Sequence, residues 1–134
     1  MFPKENFVLI LGAGITGLSA INYLKGKKNF KVFDTRNIHE LPLDFVNDES
    51  IKTNLISLKD LKFELIEYVI CSPGFDYDHE IIQLLKKNNI SIKSDIEIFV
   101  EENNSKKILV SGTNGKTTVS LLLERIISLS GLDS

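Results

Sequence analysis

The sequence predicts an α/β fold: a parallel sheet with helices on both of its faces. Three observations carry that prediction. Short apolar runs rich in β-formers alternate with stretches whose apolar residues recur every three or four positions. Two of the runs end in glycine-rich segments, "GAGITG" and "SGTNG", that lead straight into a helical pattern. The chain, 134 residues with 43% hydrophobic and 25% charged residues, has the composition of a globular domain with a core.

The elements follow in order. "FVLIL" (Phe7–Leu11) is continuously apolar and bounded by glycine, which predicts a strand buried on both faces. A helix follows, with Ile15, Leu18, Ile21 and Leu24 on one stripe and Gly26 and Asn29 ending it. "FKVFD" (Phe30–Asp34) closes a βαβ unit. "SIKTNLI" reads as a third strand, and "SLKDLKFELI" as either a short helix or a loop. "YVICSPG" is a strand ended by a Pro-Gly break. "HEIIQLLKKNN" is a helix with Ile81, Ile82, Leu84 and Leu85 in its pattern, and "ISIKS" is a fifth strand. "DIEIFVEENN" is ambiguous in period, and Asp95 as N-cap favours a helix. "KKILVSG" reads as a sixth strand. The last helix runs from Lys116 to Ser130, its core stripe formed by Val119, Leu122, Leu123, Ile126 and Leu129, with Gly131 as its left-handed cap.

Charge and cysteine usage exclude several classes. The net charge of −2 gives no general attraction to nucleic acid or to an anionic membrane. The single cysteine, Cys71, forms neither an internal disulfide nor a zinc site, and reads as a small core residue. The N-terminal apolar run is too short for a signal sequence or a membrane span, so a cytoplasmic protein is expected. His39 and His79 lack partners at metal-ligand spacing, and the Asp76, Asp78, Glu80 and Glu101, Glu102 groups read as solvated charge.

Ligands of parallel α/β sheets bind at the carboxyl ends of the strands, so the residues just after each strand carry the chemistry. After the first strand, Gly12-Ala13-Gly14-Ile15-Thr16-Gly17 matches G-x-G-x-x-G. The glycines of that motif permit a tight turn, close approach of a diphosphate and tight helix packing, and the helix N-terminus favours the anion. After the second strand stand Asp34, Thr35 and Arg36. Asp34 lies where a dinucleotide fold keeps its ribose-binding acid, and Arg36 suits a 2′-phosphate, which points to NAD or NADP. The same three side chains equally supply donors and acceptors for a nucleobase edge. After the fourth strand, Ser72-Pro73-Gly74 is either the opposite wall of that pocket or an ordinary turn.

After the sixth strand come Gly112-Thr113-Asn114-Gly115-Lys116-Thr117-Thr118. Successive N–H groups and a helix N-terminus make an anion nest, the Lys116 ammonium matches β- and γ-phosphates, and the Thr117 hydroxyl matches Mg²⁺. The common pattern has a glycine where this chain has Val110, so the match is to the shorter G-x-x-G-K-T form.

A nucleotide-diphosphate fold followed directly by a triphosphate loop resembles the Mur ligases, ATP-dependent enzymes of peptidoglycan stem-peptide synthesis. The resemblance rests on "GAGITGLS", "DTR", "SPG", "SDIEIF" and "SGTNGKTT", in that order over nearly the whole chain. The phosphate-loop form is shared with folylpolyglutamate synthases; "TGLS" and "DTR" point to the D-glutamate-adding branch. The resemblance implies a Rossmann-like UDP-sugar-binding domain over residues 1–93. The first strand, phosphate loop and helix of a central ATPase domain would follow over residues 94–134, as the N-terminal portion of a longer enzyme.

It further implies that Gly14, Ile15 and Thr16 hold the UDP diphosphate, that Asp34, Thr35 and Arg36 border the uracil, and that Ser72 and Gly74 lie near the same nucleotide. Gly112, Thr113, Asn114, Gly115, Lys116, Thr117 and Thr118 would bind ATP, with Lys116 catalytic and Thr117 a Mg²⁺ ligand. The implied reaction joins D-glutamate to UDP-N-acetylmuramoyl-L-alanine through an acyl phosphate, and the 134-residue chain alone is expected to be inactive. An NAD(P)-dependent oxidoreductase domain and a ligase of another specificity are the alternative readings.

Overall fold

The computed structural model describes residues 6–132, so the expected domain limits at residues 1 and 134 lie outside the described residues. The chain divides into two compact units, residues 1–103 and 104–134.

The first unit is an α/β sandwich. Its strands are β1 (Phe7–Leu11), β2 (Phe30–Phe33), β3 (Ile66–Cys71) and β4 (Ile92–Lys93), all parallel, in the spatial order β2-β1-β3-β4. Its helices are α1 (Ile15–Leu24), α2 (Leu43–Asn47), α3 (Glu49–Lys52), α4 (Glu80–Lys87) and α5 (Asp95–Glu102). β1 is central and buried throughout, which explains its unbroken apolar sequence. Alternation then divides its side chains between two cores. Val8 and Ile10 pack with Ala20, Ile21 and Leu24 of α1, Phe45 of α2, Ile51 of α3 and Ile98 of α5. Phe7, Leu9 and Leu11 pack with Ile81, Ile82 and Leu85 of α4. Each of the valine, leucine, isoleucine and phenylalanine side chains among them contributes roughly 1.5–3 kcal/mol by leaving water.

The chain leaves β1 to add β2 on one side, then crosses back to lay β3 on the other. That reversal opens a crevice beyond the carboxyl end of β1.

Two expectations are corrected in this unit, and the open reading of "SLKDLKFELI" is resolved. "SIKTNLI" is not a strand along its length. The Asp48 carboxylate accepts hydrogen bonds from the N–H and hydroxyl of Ser50 (2.9 and 2.5 Å) and caps α3. Only the end of the segment pairs with β2: Val32 N–H donates to the carbonyl of Asn54, and Ile56 N–H to that of Val32, both at 2.9 Å. "SLKDLKFELI" holds two 3₁₀ turns, Leu58–Asp60 and Phe63–Leu65. The N-cap of α5 is Ser94, with Asp95 the first helical residue. Ser94 and Glu97 form a reciprocal capping box: Glu97 N–H donates to Ser94 Oγ (3.2 Å), and Ser94 N–H to Glu97 Oε2 (2.6 Å). A box that satisfies two donors outcompetes a lone carboxylate one position later. Tyr23 of α1 packs against the core that holds Ile98 of α5, and the neighbouring Glu102 carboxylate pushes its phenol up to about 12.

Among its described residues the second unit holds one helix, α6 (Lys116–Leu129), with Gly131 at φ +76 just past it, as its sequence requires. The expected strand over residues 106–112 does not form. A strand needs a neighbour to receive its ladder bonds, and none among the described residues pairs with this segment. The expected core stripe of α6 is not buried either. Val119, Leu122, Ile126 and Leu129 are exposed, and no residue from 104 to 132 is buried.

Candidate functional site

Three loops leave the carboxyl ends of β1, β2 and β3 and together line one cleft of about 590 Å³. Its walls are Gly12 and Gly14–Thr16 after β1, Asp34–Arg36 after β2, and Ser72–Asp76 after β3. Gly14, Ile15, Thr16, Asp34, Thr35, Arg36, Ser72 and Gly74, named separately from the sequence, are thereby brought together. Pro73, Phe75 and Asp76 complete the wall.

The three glycines do different work. Gly12 stands at φ +97, a conformation that favours glycine, and a Cβ there would lie 3.0 Å from both Cβ and Oγ of Ser72. A Cβ on Gly17 would lie 2.1 Å from the Gly12 carbonyl oxygen, so α1 packs directly on the turn only because that atom is absent. Gly14 is the N-cap of α1, and a Cβ there would meet nothing within 4 Å. The space before the first turn of α1 is therefore open, next to the N–H groups and positive dipole end that attract an anion. Ile15, 87% exposed, stands on the lip of the cleft.

Asp34 braces the glycine turn. Its side chain is only 5% exposed. Oδ2 accepts hydrogen bonds from Ala13 N–H (2.6 Å) and Arg36 Nη2 (2.8 Å). Oδ1 accepts from Arg36 N–H and Arg36 Nε, both at 2.9 Å. Arg36 Nη2 also donates to the Ala13 carbonyl (3.3 Å). Burial pushes the Asp34 carboxyl up, but the Arg36 guanidinium and the N–H groups of Ala13 and Arg36 outweigh it and hold the carboxyl below its ordinary value. A carboxylate offers about four lone-pair sites, and here all four are engaged within the chain. Ser72 Oγ donates to the Gly12 carbonyl (3.4 Å), which joins the third wall to the same turn.

In the second unit, Gly115 at φ +77 caps the N-terminus of α6. The Lys116 ammonium bonds the carbonyls of Gly112 (2.7 Å) and Thr113 (3.4 Å), and so spans its own loop. Thr117 and Thr118 occupy the first turn of α6. Gly112, Thr113, Asn114, Gly115, Lys116, Thr117 and Thr118 are all exposed. Thr117 offers one hard oxygen donor, of the kind Mg²⁺ prefers. No cluster of three His, Cys, Asp or Glu side chains suited to a metal occurs among the described residues.

A family profile described as "Mur ligase MurD-like, N-terminal domain" matches residues 6–94. The chain belongs to the MurD-like Mur ligases. The matched residues of this Mur ligase domain include all three walls of the cleft. The chain is similar to the UDP-N-acetylmuramoylalanine--D-glutamate ligase of Rickettsia bellii (strain RML369-C), 33% identical over 131 residues, 97% of this chain and 28% of the relative. The ligase of that name from Legionella pneumophila (strain Paris) is 34% identical over 130 residues, 96% of this chain and 29% of its own. That from Wolbachia pipientis wMel is 36% identical over 131 residues, 96% of this chain and 25% of its own. The chain thus spans between 25% and 29% of the length of these three relatives.

His79 was missed as part of this neighbourhood. It lies outside the glycine motifs, and its one sequence signal was its place just before a helical stripe. The structure makes it the N-cap of α4, its Nδ1 accepting the Ile81 N–H at 3.2 Å, with its ring against Phe33 and Phe75.

Proposed function

We propose that this chain is the UDP-sugar-binding portion of an ATP-dependent ligase that joins D-glutamate to UDP-N-acetylmuramoyl-L-alanine. One observation carries the reading. The open Gly14 turn, braced by Asp34, faces a cleft built by the loops after β1, β2 and β3. The relatives, UDP-N-acetylmuramoylalanine--D-glutamate ligases, support the substrate.

In this reading the diphosphate sits at the N-terminus of α1, against Gly14, Ile15 and Thr16. Thr35 and Arg36 border the uracil, and Ser72 and Gly74 close the far side. Asp34, with its acceptors engaged by Ala13 and Arg36, holds the turn and aims the guanidinium. That engagement weighs against an NAD site, where this acid must accept a ribose hydroxyl.

Residues 112–118 are the phosphate loop of the ligase. Gly112–Gly115 and the first turn of α6 supply backbone donors for the triphosphate, and Lys116 exchanges its loop carbonyls for β- and γ-phosphate oxygens. Thr117 would offer its hydroxyl to Mg²⁺, which would supply charge neutralisation when bound. The alanyl carboxylate takes the γ-phosphoryl group of ATP to give an acyl phosphate, and ADP leaves. The amine of D-glutamate then displaces phosphate and forms the amide.

No helix among the described residues is long and apolar enough to cross a membrane; a cytoplasmic location belongs to the same proposal. The full-length protein should sustain ADP release over many turnovers only when both UDP-N-acetylmuramoyl-L-alanine and D-glutamate are supplied. ADP release that is indifferent to either substrate overturns the proposal.

A further inference from the structure

We infer that His79 is a positioning residue of the UDP cleft, acting through its ring, and that its capping bond serves stability alone. The inference rests on reading the cleft as the UDP site. Beyond the ends of the strands the ladder no longer holds the walls together. Phe33 is the last residue of β2, directly before Asp34, Thr35 and Arg36. Phe75 directly follows Gly74 and itself lines the cleft. The His79 ring centroid lies 5.6 Å from that of Phe33 and 5.8 Å from that of Phe75, while the two Phe centroids are 6.2 Å apart. All three pairs fall in the range of favourable tilted or edge-to-face contacts.

Both phenylalanines are buried, so the trio forms a closed aromatic joint between the β2 wall and the β3 wall. The joint also reaches the glycine turn, because a Cβ on Gly12 would lie 3.9 Å from the Phe75 ring. His79 ties this joint to α4. Its Nδ1 accepts the Ile81 N–H, which puts the ring proton of the neutral imidazole on Nε2. α4 is in turn anchored by Ile81, Ile82 and Leu85, all fully buried. The rigid part of the fold thereby sets the separation of two loops that must grip one nucleotide.

Two substitutions separate the roles of ring and cap. His79→Asn keeps a capping acceptor and removes the ring; His79→Phe keeps a ring and removes the cap. The test measures the Kd for UDP and the Tm in the full-length protein. Both variants should lower Tm by no more than about 2–4 °C in a protein of that length, since each loses one stabilising contact. Only His79→Asn should weaken UDP, by about tenfold, while His79→Phe stays within about twofold of wild type. Phe75→Leu opens the joint from its other side and should weaken UDP as His79→Asn does. Equal Kd changes in both His79 variants, or wild-type affinity in His79→Asn and Phe75→Leu, overturn the inference. Failure of the wild-type protein to bind UDP overturns the reading of the cleft instead.

Discussion

The two glycine-rich turns of this chain carry comparable chemistry in very different surroundings. Gly12–Gly17 sits on a buried strand, is braced by a buried carboxylate and packs against a helix with a full core beneath it. Gly112–Gly115 leads into α6, no residue of which is buried. A motif specifies which atoms are offered to a ligand. Packing decides how firmly they are held, and only the first turn has both.

The largest effect expected to divide the two regions is on turnover. In the full-length protein Lys116→Ala should lower the ligation rate by at least about 10²–10³-fold, through loss of charge stabilisation on the moving phosphoryl group. The Kd for UDP should not change. A matching loss of UDP binding in a titration would merge the two sites that the account keeps apart.

Stability sharpens the comparison next. In this chain Ile10→Ala should cost about 2–5 kcal/mol, because Ile10 is fully buried in the core against α1. Ile126→Ala on α6 should change stability by less than about 0.5 kcal/mol, because its side chain is 59% exposed. Urea unfolding of both variants checks this, and equal costs would break the contrast.

Within the first turn, Gly14→Ala should leave urea unfolding close to wild type, since its Cβ enters open space. The same variant should weaken UDP binding by occupying the place of the diphosphate. Gly17→Ala should disturb both, because its Cβ would lie 2.1 Å from a backbone oxygen.

The smallest effect is on acid stability. The Asp34 carboxyl titrates below its ordinary value when folded. Its contribution is therefore fully present above the unfolded carboxylate range, about pH 4, and is lost as pH falls through the folded value. Asp34→Asn should flatten that part of the stability-versus-pH curve. An unchanged acid limb would show that the brace carries little stability.

Much of the fold was legible in the sequence because β1, α1, β2 and α4 have patterns that local structure and burial both favour. "FVLIL" is apolar throughout because both faces of β1 are covered, and α4 shows its stripe because one face is. The misread segments are those where one bond or one neighbour decides. Ser94 won over Asp95 because Glu97 completes its box. "SIKTNLI" has strand-like residues, but the Asp48 cap turns its first half into α3. "KKILV" has the composition of a strand and no partner among the described residues to make it one.

The cleft residues were legible because each follows a strand, and a parallel sheet gathers its strand ends. Their division of labour was not. That Asp34 faces inward to Ala13 and Arg36, and that His79 underpins the walls, depends on contacts between residues far apart in the chain.

The central claim is that the cleft at Gly12–Gly17 accepts a uridine diphosphate and not a nicotinamide dinucleotide. Calorimetric titration of residues 1–134 with UDP and with NADH, on wild type and on Gly14→Ala, tests it most directly. Saturable UDP binding that Gly14→Ala weakens, with no heat from NADH, is expected. Preferential binding of NADH by the wild-type chain would contradict it.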